Sequence, residues 1–101
     1  MESQIVLSKI AEKRLENLFD YLEQGWPKTI KSDFIQKLDK CFEILKENPE
    51  IFPESRINVG LRKCVVTKQN TLFYRFDKKY VKIVTIFDSR QNLNKLRSDI
   101  K

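Results

Sequence analysis

The sequence contains no histidine and only two glycines among its 101 residues. Without histidine, the chain has no Ser–His or Cys–His pair for nucleophilic catalysis and no imidazole ligand for a metal. Gly25 and Gly60 lie too far apart to form a glycine-rich phosphate loop. We therefore expect no metal and no cofactor. Any catalysis has to use lysine, arginine, tyrosine or aspartate, and such groups can catalyse phosphodiester transfer because cations stabilise charge on phosphoryl oxygens.

Long apolar segments are also missing. No run approaches the roughly 20 residues of a membrane span, and the N-terminus, MESQIVLSKIAEKR, lacks the apolar core of a signal peptide. These absences favour a cytoplasmic protein. The two cysteines, Cys41 and Cys64, fit that interpretation as buried free thiols. A redox pair is the alternative, and no other feature of the sequence supports it.

Acidic residues are scarce in the second half of the chain. Residues 56–101 contain 12 lysines and arginines but only 3 acidic residues. Residues 1–55 contain 8 lysines and arginines and 11 acidic residues. A nuclease site built from several carboxylates and a metal is therefore not expected in the basic half. The charge predicts instead that this half attracts a polyanion or an acidic protein segment.

Two amphipathic helices are predicted after a short apolar strand at Gln4–Leu7. Ser8 can cap the first helix, which ends at Gly25. Pro27 suits the first turn of the second helix, which ends before Pro49 because a proline disfavours helical geometry in the preceding residue. The apolar stripes consist of Ala11, Leu15, Leu18 and Leu22 in the first helix and of Ile30, Phe34, Leu38, Cys41, Phe42 and Leu45 in the second. Together they predict an αα-hairpin.

Three runs rich in β-branched and aromatic residues follow the helices. They are Leu61–Thr67, Thr71–Phe76 and Tyr80–Phe87. Connections this short join antiparallel neighbours, because a parallel return needs a crossover of about a dozen residues. The runs therefore predict a three-stranded meander.

The remaining segments complete the predicted domain. Residues 50–59 form a loop with Ile51, Phe52 and Ile57 as its anchors, and Leu93–Lys101 is either a last helical turn or a mobile segment. The whole is one α+β domain over residues 1–101, in the order β-α-α-β-β-β. Its antiparallel sheet, made of the meander and the N-terminal strand, packs on the αα-hairpin.

Basic residues on or beside the meander are the candidates for function: Arg62, Lys63, Lys68, Arg75, Lys82 and Arg90. Arg90 lies just beyond the last strand, where a side chain is free to act on a ligand. Tyr74 belongs to the more apolar set of its strand, with Leu72 and Phe76, because alternate residues share a face. It is predicted to lie in the core.

The order of four short motifs resembles a known group of proteins. They are Ser8-x-x-Ala11, Leu45-x-x-Asn48-Pro49, Leu72-Phe73-Tyr74 and Phe87-Asp88-Ser89-Arg90-Gln91-Asn92. Their order and spacing resemble the RelE/ParE superfamily of bacterial toxins from type II toxin–antitoxin pairs, from about Gln4 to Leu96. The resemblance implies a growth-arresting toxin that is neutralised by an antitoxin, whose acidic and apolar segment wraps the basic sheet and the helix pair.

The superfamily has two branches, and the resemblance leaves both open. RelE-like members are mRNA interferases that cut mRNA on the ribosome without a metal, and ParE-like members inhibit DNA gyrase. On the RelE pattern, Arg62, Lys63 and Arg90 are the catalytic residues. Lys68, Arg75 and Lys82 are expected to contact nucleic acid because they lie on or beside the basic meander. Three positions depart from that pattern: Cys64 stands at its second basic residue, Thr71 near its central arginine and Leu96 at its tyrosine.

A non-enzymatic RNA- or DNA-binding module is the alternative interpretation. In such a module the basic sheet would hold the nucleic acid backbone, while Phe73 and Tyr80 would stack on bases. A domain whose charge serves solubility alone is a third interpretation.

Overall fold

The computed structural model describes residues 3–56, 59–91 and 93–100. Its elements are β1 (Gln4–Leu7), α1 (Lys9–Glu23), α2 (Lys28–Glu47), β2 (Arg62–Val65), β3 (Asn70–Phe76), β4 (Tyr80–Asp88) and α3 (Leu93–Asp99). The predicted α+β order is confirmed, and the last segment forms a helix. Within these ranges no helix has both the length and the apolar character needed to cross a membrane.

Both ends of α1 are fixed by residues that the sequence singles out. The Ser8 hydroxyl oxygen accepts a hydrogen bond from the backbone N–H of Ala11 at 3.0 Å, and the hydroxyl donates to the carbonyl oxygen of Val84 at 2.6 Å. Gly25 has a φ of 76°, a conformation that other residues rarely adopt, and α2 begins directly after Pro27. The cap of α1 therefore also fastens this helix to β4.

The four strands form one sheet in the order β1-β4-β3-β2. The three later strands pair antiparallel, as predicted. β1 lies at the edge of the sheet, also as predicted, but it pairs parallel with β4, with Gln4 opposite Tyr80 and Leu7 opposite Ile83. The sheet is therefore mixed rather than wholly antiparallel. The chain between β1 and β4 passes through two helices and two strands, which is more than a parallel return requires.

Each face of the sheet has its own apolar core. The face toward α1 and α2 buries Leu72, Tyr74 and Ile83 against residues such as Leu38 and Leu45. The opposite face, called the outer face below, is covered at one end by α3. There a second core is formed by Leu61, Phe73, Phe87, Leu96 and Ile100. Successive residues of β3, such as Leu72 and Phe73, thus enter different cores, since successive side chains point to opposite faces.

The loop before β2 is anchored differently from the prediction. Ile51 is 61% exposed, so its predicted role as a buried anchor is wrong. Phe52 does pack on the first core, with its ring edge-on to that of Tyr74 at 6.5 Å between centroids. Ile57 lies outside the described residues. The predicted core position of Tyr74 is confirmed, and its hydroxyl donates to the carbonyl oxygen of Pro49 at 2.6 Å.

The two cysteines lie together in the first core. Both are free and buried, which agrees with the interpretation as apolar core residues. The side-chain hydrogen bond with Cys41, together with burial, raises the pKa of the Cys64 thiol far above its usual range. Cys64 therefore stays protonated at neutral pH.

Candidate functional site

Arg62 is half-buried, and its guanidinium contacts the protein itself. Its Nη1 donates to the carbonyl oxygen of Glu50 at 3.0 Å and to that of Phe52, and its guanidinium lies 5.4 Å from the centre of the Phe76 ring. The backbone of Glu54 also pairs with that of Arg62. These contacts fasten the loop that precedes β2, so the observed contacts of Arg62 are structural.

Three of the predicted basic residues share the outer face. Lys63 pairs with Phe73, whose side chain lies in the second core, and Arg75 pairs directly with Lys82. Lys63 and Lys82 are exposed, whereas Arg75 is half-buried and its Nη1 donates to the carbonyl oxygen of Val59 at 2.9 Å. The end of the face that α3 leaves open is therefore basic.

Apolar side chains accompany this charge. A groove of about 520 Å³ runs along the open end of the outer face, and Arg75 and Lys82 line it together with Val6 and Tyr80. Val6 is 41% exposed and Tyr80 is 44% exposed. A surface that combines exposed apolar groups with cations fits a partner segment that is both apolar and acidic.

Arg90 lies at the other end of the sheet. Its guanidinium forms a two-pronged ion pair with Asp88, with Nη2 to Oδ2 at 2.6 Å and Nε to Oδ1 at 3.0 Å. It also lies 6.0 Å from the centre of the Tyr21 ring on α1. The hydrogen bond from Arg90 lowers the pKa of Asp88, so this carboxylate keeps its charge and fixes the guanidinium. The exposed Lys68 lies in the turn between β2 and β3, near this end.

The predicted catalytic residues are not brought together. Arg62 lies opposite Tyr74 on β3, whereas Asp88, the partner of Arg90, lies opposite Asn70. Four residues along one strand correspond to roughly 13 Å. The two arginines are also two strands apart, since β3 lies between β2 and β4.

Two of the three positions that depart from the RelE pattern, Thr71 and Leu96, have different environments. Thr71 is half-buried on β3. Leu96 is 1% exposed and packs in the second core with Phe73 and Phe87. The place of a catalytic tyrosine is thus occupied by a core residue that secures α3 to the sheet.

Sequence reasoning missed the residues of α1 and α3 that surround Arg90. A cleft of about 410 Å³ lies between α1, the end of β4 and α3, and Arg14, Tyr21 and Lys95 line it with Arg90. Arg14 and Tyr21 are seven positions apart, which places them on one face of a helix. That spacing was visible in the sequence, but nothing in it indicated that this face meets Arg90.

Comparison with protein families decides the identity of the chain. The family described as "ParE toxin of type II toxin-antitoxin system, parDE" matches residues 5–93. The chain belongs to this ParE toxin family. The predicted role of a type II toxin is confirmed, and the alternative of a non-enzymatic nucleic-acid-binding module is not favoured. A curated relative of this ParE-family toxin, "Toxin ParE1" of Caulobacter vibrioides, is 26% identical over 87 residues, which are 85% of this chain and 88% of the relative.

Solved structures share the fold of this ParE-family toxin. A chain of the chromosomal ParDE toxin–antitoxin system of P. aeruginosa has a TM-score of 0.67 at 16% identity, covering 86% of this chain and 96% of the other. A chain of the E. coli DinJ–YafQ toxin–antitoxin complex has a TM-score of 0.63 at 14% identity, covering 89% and 96%. The YoeB dimer of Staphylococcus aureus gives 0.61 at 15% identity, covering 86% and 97%. At these identities the likeness concerns the fold alone.

Proposed function

We propose that this ParE-family toxin arrests growth by inhibiting DNA gyrase, the target implied by the ParE-like branch of its superfamily, and does not cut mRNA on the ribosome. The observation that carries the proposal is the separation of Arg62 from Arg90. A metal-independent nuclease has to concentrate cations and a proton donor around one phosphate, because the charge builds there in the transition state. Here the two arginines lie at opposite ends of the sheet.

Three further observations support the proposal. The guanidinium of Arg62 already donates to two loop carbonyl oxygens. Thr71 offers no charge, and Leu96 is enclosed in the second core. The assignment of Arg62, Lys63 and Arg90 as catalytic residues, and of Lys68, Arg75 and Lys82 as nucleic-acid contacts, stays a prediction that the ribosome assay below tests.

We also propose a cognate antitoxin as the partner that covers the open end of the outer face. The support is the combination of Lys63, Arg75 and Lys82 with exposed Val6 and Tyr80. An antitoxin segment that alternates acidic and apolar side chains matches both properties. The toxin is proposed to act as a single domain spanning residues 1–101 in the cytoplasm, where gyrase and the ribosome are found.

The target is tested with purified toxin in two parallel reactions. One reaction measures supercoiling of relaxed plasmid by gyrase, and the other measures cleavage of mRNA on translating ribosomes. We expect inhibited supercoiling and intact mRNA. Cleaved mRNA with unaffected supercoiling would refute the proposal, and loss of that cleavage in Arg90→Ala would then establish Arg90 as a catalytic residue.

The antitoxin surface is tested by charge reversal. Arg75→Glu and Lys82→Glu are each expected to weaken antitoxin binding by about tenfold or more, and added salt should reduce the difference because it screens surface charges. Lys37→Glu is the matched control, since it makes the same change on an exposed position of α2. Antitoxin affinities equal to that of the wild type for both Arg75→Glu and Lys82→Glu would exclude the outer face as the contact surface.

A further inference from the structure

The cleft beside Arg90 is a separate surface from the outer face. It lies between α1, the end of β4 and α3, and its volume of about 410 Å³ falls within the range of small-molecule sites. Its walls are mainly polar side chains. The residues proposed above to contact the antitoxin do not line it, and of the predicted catalytic residues only Arg90 does.

Two arginines of this cleft are each held in place by a carboxylate. Arg14 donates through Nε and Nη2 to Asp99 at 3.1 and 2.9 Å, and Arg90 donates through the same two nitrogens to Asp88. Asp99 is itself fixed by the hydroxyl of Thr85 at 3.0 Å. In each ion pair Nε and Nη2 bind the carboxylate, and Nη1 does not take part. Side-chain rotation of both guanidiniums is thus restricted before any ligand arrives, which lowers the entropic cost of binding an anion.

A third cation and several amides complete the polar lining. Lys95 of α3 lines the cleft, and within the described residues no carboxylate pairs with it. Asn17 and Asn70 add side-chain amide groups, which hydrogen-bond without adding charge. Three cations line the cleft, whereas two carboxylates accompany them: Asp88 in the lining and Asp99 as the partner of Arg14. One positive charge is left in excess, which favours an anion.

An aromatic ring stands at the edge of this charged lining. Tyr21 is 45% exposed, and one face of its ring is occupied by the Arg90 guanidinium. The ring of Trp26, which is the only tryptophan of the chain, lies 6.2 Å from the Tyr21 ring. Exposed aromatic rings beside arginines provide the stacking surface on which nucleobases bind.

We propose that this cleft binds a nucleoside phosphate, with the phosphate at Arg14, Arg90 and Lys95 and the base stacked against Tyr21. A free mononucleotide and the phosphorylated end of a nucleic acid strand share this chemistry, because each has a phosphate monoester on a sugar that also carries a planar base. The proposal does not depend on the target of the toxin.

Trp26 supplies the direct measurement. The full-length toxin is titrated with AMP, and the fluorescence of Trp26 reports a ligand that binds beside its Tyr21 neighbour. We expect a saturable change in fluorescence. Lys95→Glu should weaken AMP binding by about tenfold or more, because it reverses one of three cations at the phosphate. Lys37→Glu on α2 should bind AMP as the wild type does.

Equilibrium dialysis with labelled AMP separates the two halves of the site. Tyr21→Ala should weaken AMP binding several-fold and leave the binding of inorganic phosphate unchanged. Adenosine, which lacks the phosphate, should bind at least about tenfold more weakly than AMP. Circular dichroism should show that Lys95→Glu and Tyr21→Ala remain folded, since both positions are exposed.

The outcomes that overturn the proposal are distinct. Absence of saturable AMP binding refutes it, and so does equal binding by wild type and Lys95→Glu. Equal affinity for AMP and adenosine refutes the phosphate site. An end-phosphorylated oligonucleotide that displaces AMP, when the same oligonucleotide without the phosphate does not, would support the proposal and identify a strand end as the ligand. A higher affinity for AMP than for the phosphorylated oligonucleotide would support the proposal and identify a free nucleotide as the ligand.

Discussion

Replacing Tyr74 by phenylalanine tests how the loop before β2 is held to the core. The Tyr74 side chain is 0% exposed, and its hydroxyl donates to the carbonyl oxygen of Pro49 at 2.6 Å. Tyr74→Phe keeps the ring against Phe52 but leaves the Pro49 carbonyl without this donor. A buried polar group that loses its partner costs about 1–3 kcal/mol.

The expected loss is large enough to measure reliably. A decrease of about 2 kcal/mol in the free energy of unfolding corresponds to a fall of roughly 8–16 °C in Tm for a domain of this size. Urea unfolding followed by circular dichroism should show a lower midpoint with an unchanged slope. Tyr80→Phe is the matched control, because Tyr80 is 44% exposed and its hydroxyl makes no hydrogen bond within the described part of the chain.

The same variant has a signature at high pH. Burial raises the pKa of Tyr74 to about 12, above its ordinary value near 10. The folded state therefore favours the neutral phenol, and this contribution to stability is complete below about pH 10 and is lost as the pH rises toward 12. In Tyr74→Phe this part of the alkaline destabilisation should vanish, together with the tyrosinate absorbance step near pH 12. An unfolding midpoint equal to that of the wild type would refute the reasoning.

Three further predictions concern other contacts of the fold. Ser8→Ala should lower the free energy of unfolding by about 1–3 kcal/mol in urea titrations, because α1 loses its cap and the carbonyl of Val84 loses its donor. Ser8→Thr should keep most of that stability. An unchanged free energy of unfolding in Ser8→Ala would contradict the role of Ser8 as the cap. Arg62→Lys should lower the stability by about 1–2 kcal/mol and leave growth arrest intact, since a lysine cannot reproduce the guanidinium contacts; loss of arrest at unchanged stability would place Arg62 at the target instead. Arg90 lowers the pKa of Asp88, so the stabilisation by this ion pair is present above pH about 4 and is lost as the pH falls further. In Asp88→Asn the free energy of unfolding should therefore fall less steeply with decreasing pH in acid titrations. A pH dependence equal to that of the wild type would show that the ion pair does not stabilise the fold.

Local patterns in the sequence were sufficient to predict most of the elements. The spacing of apolar residues located both helices, and the predicted strand Gln4–Leu7 has those bounds in the structure. The direction of β1 could not be predicted, because its partner β4 lies more than 70 positions away and a four-residue apolar run has no preferred orientation. The exposure of Ile51 was missed for a related reason, since the path of a loop depends on which contacts its ends make.

The site was harder to predict than the fold. A sequence shows which cations are present, but not which of them are occupied by internal acceptors. Arg62 was selected for its place on the first meander strand, and its hydrogen bonds to the loop carbonyl oxygens depend on tertiary structure. The cleft around Arg90 combines residues from four elements, of which only the strands β3 and β4 were considered as sources of site residues from the sequence. Its contribution from α1 and α3 required the packing of both helices.

The pairing of β1 with β4 determines when the toxin can fold during its synthesis. Ser8 and Val84 are 76 positions apart, and Arg14 and Asp99 are 85 positions apart, yet both pairs join α1 to the end of the chain. As the ribosome extends the polypeptide, β1 has no strand to pair with until β4 has been made, although the αα-hairpin can already pack on Leu72 and Tyr74 of β3. The sheet is therefore completed late. A growing chain cannot complete this fold until β4 has left the ribosome.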